Sequence, residues 1–180
     1  MKANKSISLF ALVAVILALV VLARSSSSSN ASNAAQWSVQ VVKVDAGDVN
    51  LSPSFQIAIY ENLLGELNKT KQFKQVLRDG DRNAGDVSNL LILKTTVQKY
   101  TAGSETRRAV TTVSGATKLT VKSQLCTRDG RIILDHTVDG NVRFMGDNFK
   151  ATHNLARNVA KTIKQSSLPE PSAVAPSGQL

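Results

Sequence analysis

The sequence predicts an α+β domain. One mixed, mainly antiparallel sheet carries two helices packed on one face (β-α-β-β-β-β-α), preceded by an N-terminal hydrophobic signal or anchor helix. Three observations carry this expectation. Leu119, Val121, Ser123 and Leu125 alternate with Lys118, Thr120, Lys122 and Gln124, the period of a strand with one buried and one wet, basic face. Arg128-Asp129-Gly130-Arg131 follows directly, and Asp-Gly suits the paired positive φ values of a type I′ hairpin turn. Finally, one stretch near each end of the domain spaces its apolar residues at helical intervals, so each has a stripe to bury against a sheet.

The elements follow in order. Trp37 to Val44 (WSVQVVKV) is rich in β-branched residues and half alternating, which predicts a first strand. Ser52-Pro53 is a helix start, serine as N-cap and proline at the first helical position. That helix is expected to run to about Thr70, with Ile59, Tyr60, Leu63, Leu64 and Leu67 on one arc. Gly65 inside it signals close packing or simple tolerance. Phe73 to Leu77 reads as a short strand and Arg78 to Asp86 as a turn-rich loop. Leu90 to Tyr100 opens with four consecutive apolar residues, as a strand buried on both faces does. A Gly/Ser loop leads into a long extended stretch from Thr106 to Thr127; Arg131 to Val138 returns as its partner, and Asp139-Gly140 marks another bend. Asp147 or Asn148 caps the last helix, which runs to about Gln165 with Phe149, Leu155, Ala156, Val159 and Ile163 on one stripe.

The chain begins with the grammar of an export signal. Lys2 and Lys5 precede a run of 17 residues from Ile7 to Ala23, apolar but for Ser8, and then come Arg24 and five serines. Seventeen residues is at the short edge of a membrane-spanning helix and longer than an ordinary signal core. Cleavage after Val21-Leu22-Ala23, Ser29-Asn30-Ala31 or Ser32-Asn33-Ala34 and retention as an anchor both stay open. Either way the domain is expected outside the cytoplasm, in the periplasm, tethered to the inner membrane if the helix is kept. The expected organisation is a signal or anchor over 1–23, a Ser/Asn/Ala spacer over 24–36, one domain over 37–165 and a Pro-containing disordered tail over 166–180.

Composition narrows the function classes. Lys and Arg number 22 against 13 acids, and setting aside Lys2, Lys5 and Arg24 leaves 19 against 13, a net +6. Aromatic residues are few, so the stacking platform of a single-strand nucleic-acid binder is not expected, and no nucleic-acid partner is either. The anions met outside the cytoplasm are lipid headgroups and envelope polymers. Cys126 is the only cysteine, which excludes an internal disulfide and leaves nothing near the signal to accept a lipid.

Catalytic motifs are not recognisable. Asp135, His136 and Asp139 form the one acid/histidine cluster, but neighbours on a strand point to opposite faces. His136 and His153 lack metal-ligand spacing, Val113-Ser114-Gly115 lacks the second glycine of a nucleophile elbow, and no Gly-Lys-Ser/Thr follows Gly103 or Gly115. No enzyme activity, cofactor or metal is expected. Two anion- or partner-binding candidates remain. Lys150, Arg157, Lys161 and Lys164 fall within roughly 60° of one another on the last helix, and Arg107 with Arg108 sits on the loop after Gly103.

From Asn89 to Lys164 the layout resembles a bacterial envelope family of unknown function. The residues that carry this are LLILKTTVQKYTAGSETRRAVTTVSGATKLTVKSQLCTRDGRIIL and NFKATHNLARNVAKTIK; the earlier NLLGELNKTKQFKQVL is similar to that family's segment before its second strand. Many such proteins look like relatives of the amino-terminal domain of the Tol translocation protein or of curli-secretion lipoproteins. The resemblance implies an accessory or assembly role, through a protein partner or self-association, rather than catalysis. The long strand from Thr106 to Thr127, extending past the core to augment a neighbour's sheet, is one expected means. Direct binding of anionic lipid or envelope polymer is the alternative. The absent lipid-accepting cysteine is a departure from the lipoprotein members, so lipid tethering does not carry over.

Overall fold

A computed structural model describes residues 36–104, 106, 116–142 and 147–171. The expected signal, all but the last residue of the spacer, Arg107 and Arg108, and the end of the tail lie outside the described residues. Among those described, no helix is long and apolar enough to cross a membrane.

The element order is the expected one: β1 (Ser38–Val41), α1 (Pro53–Thr70), β2 (Val76–Leu77), a 3-10 turn (Arg82–Asp86), β3 (Leu90–Thr101), β4 (Thr117–Thr127), β5 (Ile132–Val142) and α2 (Lys150–Gln165). The strands form one sheet in the order β2-β1-β3-β4-β5. β1 runs parallel to both β2 and β3, while β3, β4 and β5 form an antiparallel meander. Val39, Val41, Leu91, Leu93, Leu119, Val121 and Leu125 project from one face and are fully buried. They meet Ile59, Leu63 and Leu67 of α1 and Leu155, Val159 and Ile163 of α2, so the main core lies between sheet and helices, while a small second cluster of Leu77, Ala84 and Leu90 is buried on the other face under the 3-10 turn.

Local chemistry sets the boundaries. The Ser52 hydroxyl accepts from the Phe55 N–H at 3.4 Å, and Pro53 opens α1 as its first residue. Lys71 closes it in the left-handed region at φ 53°. The Asp147 carboxylate accepts from the Lys150 N–H at 2.9 Å, so Asp147 caps α2 through a turn that precedes the helix.

Several expectations change. The hairpin after β4 is not type I′: Gly130 has φ 89° but Arg128 and Asp129 do not enter the positive region. Instead the Gly130 N–H donates to Thr127 O at 3.0 Å and the Thr127 N–H to Arg131 O at 2.9 Å, a type I turn with a glycine bulge. Asp139-Gly140 is not a bend, because β5 continues through it to Val142. The second strand is shorter than expected, and β4 begins at Thr117, Thr106 being helical. The described part of β4 lies inside the sheet, paired on both sides, so it has no free edge with which to augment a neighbour. Nor does the expected tail start at Ser166. Leu168 is buried, and the Trp37 indole N–H donates to Pro169 O at 2.9 Å.

Candidate functional site

Three surfaces come forward: the outer face of α2, the β5 edge, and a groove beside α1. On α2, Ala151, Leu155, Ala156, Val159, Ala160 and Ile163 are buried, and this forces the opposite side into solvent. Lys150, Arg157, Lys161 and Lys164 are all exposed there, as their helical spacing requires. Among the described residues, Arg157, Lys161 and Lys164 have no carboxylate partner. Arg157 lies 2.9 Å from His153 Nε2, and His153 Nδ1 lies 3.7 Å from Glu66, which also binds Lys69 at 2.7 Å. The cationic stripe is thus braced to α1 at its middle.

The β5 edge is largely closed. Asn154 and Asn158 of α2 donate their amides to the carbonyls of Asn141 and Asp139 at 2.9 and 2.7 Å. At the other end the register slips between Leu125 and Cys126, a bulge that disrupts the ladder. Both are devices that discourage strand addition. The opposite edge, β2, is only two residues long.

The groove is a cavity of about 420 Å³ where α1 passes the carboxyl ends of the parallel strands β1 and β2. Val44, Pro53, Ile57 and Tyr60 line its apolar part, and Lys43, Glu61, Arg78 and Asp79 its polar part. Two ties shape it. Arg78 donates from both terminal nitrogens to Glu61 at 2.6 and 2.7 Å, and the Tyr60 hydroxyl accepts from the Asp79 N–H at 2.8 Å. The Arg78 fork holds the Glu61 carboxyl below its ordinary range. Ile57 is 61 % exposed at its mouth. The sequence reading missed this groove; its one signal was an isoleucine off the apolar arc of its own helix.

Asp135 and Asp139 lie on the sheet face away from the helices, and His136, paired with Ser123, lies on the other. The three do not converge. Among the described residues, no group of three or more His, Cys, Asp or Glu side chains is placed to hold a metal.

No family model and no curated protein matches the chain. Solved structures do. The fold is similar to that of a point variant of the PelC dodecamer from Paraburkholderia phytofirmans, with a TM-score of 0.53 and 14% identity over 72% of this chain and 88% of that one. A second PelC dodecamer from the same organism gives 0.52 and 14% over 69% and 87%. The hypothetical protein CT253 from Chlamydia trachomatis gives 0.47 and 11% over 71% and 96%. At such identities the PelC likeness is one of fold.

Proposed function

We propose that this chain is a non-catalytic accessory module of the cell envelope that works by self-association, in line with its resemblance to the Tol amino-terminal domain and curli-secretion proteins. The observation that carries the reading is a fold shared with a protein solved as a dodecamer, in a chain with exposed apolar side chains on two sides. Ile57 stands beside the β2 edge of the sheet and Ile132, 52 % exposed, opens β5 at the other. Two different patches on opposite sides suit a head-to-tail contact, which closes into a ring when the rotation allows. The protected β5 edge favours side-chain contacts over strand pairing. Analytical ultracentrifugation of the full-length chain is expected to show one discrete assembly. Ile57→Asp and Ile132→Asp are each expected to dissociate it with the circular dichroism unchanged. A monomer across the micromolar range sinks the reading.

The exposed stripe of Lys150, Arg157, Lys161 and Lys164 favours a second reading, docking against anionic lipid. Each cation near such a surface contributes about 1 kcal/mol.

A further inference from the structure

The sheet face turned away from the helices is covered at its β2 end by the 3-10 turn, where Leu77, Ala84 and Leu90 are buried together. Farther along, over the β3–β4 seam, its side chains are exposed or half-buried and are set by the β3–β4 register. Four rows lie along the seam on this face: Lys94 opposite Gln124, Thr96 opposite Lys122, Lys99 opposite Thr120, and Thr101 opposite Lys118. Each row holds one lysine, and the lysines alternate between the strands. The irregularity between Val97 and Lys99 produces this phase, since it returns Lys99 to the open face. Rows two residues apart are about 7 Å apart, so the cations form a zigzag about 20 Å long. Lys94, Lys99 and Lys118 are exposed and have no carboxylate partner among the described residues, whereas Lys122 lies 3.2 Å from Asp135. The carboxylates facing this track are Asp135 and Asp139 on the outer strand β5, where they bind Gln124 and Thr120, and the exposed Asp45, bridged to Thr96 on the other side of the seam. The positive charge therefore follows the seam, with two carboxylates on its β5 side and one, Asp45, on the other.

From this we infer that the open sheet face is a binding track for a linear acidic polysaccharide. The inference goes beyond the assembly reading and uses a different face from the α2 stripe. Cations in consecutive rows, three of the four without a carboxylate partner among the described residues, match a chain that carries carboxylates along its length. Thr96, Gln98 and Thr101 supply the neutral hydroxyl and amide groups that sugar hydroxyls pair with. The rows contain no aromatic ring on which a base could stack, which disfavours a single-stranded nucleic acid. In the row next to these, Ile92 is half-buried and Cys126 buried, while Ile132 at the β5 edge is 52 % exposed, a single apolar side chain rather than a contiguous apolar patch.

The test is titration of the full-length chain with polygalacturonate at low ionic strength and again at about 0.5 M salt, where exposed charges are screened. Lys94→Gln/Lys99→Gln/Lys118→Gln is expected to weaken binding about tenfold or more, the sum of three individually small exposed contacts. The α2 variant Lys150→Gln/Arg157→Gln/Lys161→Gln/Lys164→Gln is expected to keep polygalacturonate binding and to lose flotation with vesicles rich in anionic lipid. All seven residues are exposed, and thermal unfolding of both variants verifies the fold. Absence of saturable polygalacturonate binding in the unaltered chain overturns the inference. So does loss of that binding in the α2 variant alone, or equally tight binding of a single-stranded oligonucleotide on the same three lysines.

Discussion

At Gly140 an added Cβ would stand 2.4 Å from both the Ala151 carbonyl oxygen and the Leu155 Cβ. α2 rests on β5 at this point, and a methyl group would force the helix backbone off the sheet. Gly140→Ala is expected to cost about 1–3 kcal/mol, the range of core overpacking. Gly65, in the interior of α1, is the opposite case: a Cβ added there would meet nothing within 4 Å. Gly65→Ala is expected to gain about 0.5–1 kcal/mol through helix propensity and a less flexible unfolded chain. Urea unfolding of the two variants tests both signs. The sequence displayed both glycines without separating their roles. Asp139-Gly140 carries a turn signature, and what overrides it is a helix more than ten residues later, which no local window contains.

The two helices show what periodicity reveals and what it hides. Leu155, Ala156, Val159 and Ile163 were legible as the buried stripe of α2, because burial on one side imposes the helical repeat. Phe149 was placed on that stripe too, but it precedes the helix, stays 44 % exposed and stacks on Phe55 at 4.8 Å. Asn154 and Asn158 were not legible at all. A polar residue one turn from another looks like ordinary solvent-facing helix, yet these two cover the carbonyls of the edge strand. Asn154→Ala/Asn158→Ala is expected to lose about 1 kcal/mol per hydrogen bond. Hydrogen exchange is expected to quicken in β5, and unchanged exchange there would mean that the amides do not anchor α2. The groove was hidden for a related reason: its walls come from three separate segments, and only Ile57 broke a pattern.

At the scale of the whole molecule, the alternation of β4 and the order of elements sufficed for the architecture, since a half-buried sheet writes its period into the chain. Strand order was not written there, because which strand β1 joins depends on contacts across the fold. Charge acts at this scale as well. Gln124, and then Lys122, hold the Asp135 carboxyl below its ordinary range, and Arg78 does the same for Glu61. A depressed folded pKa contributes stability above the unfolded carboxylate range, and that stability is lost as pH falls through the folded value. The thermal midpoint is therefore expected to drop on acidification below the normal carboxylate range, less steeply in Asp135→Asn; identical profiles would refute that contribution. The bond between Trp37 and Pro169 also has a spectroscopic meaning. Trp37 is the only tryptophan in the chain, and its indole is held by Pro169, 132 positions away. The intrinsic fluorescence of the protein thus originates where the first strand meets the segment after the last helix, so the molecule carries a built-in reporter of whether its two ends are closed.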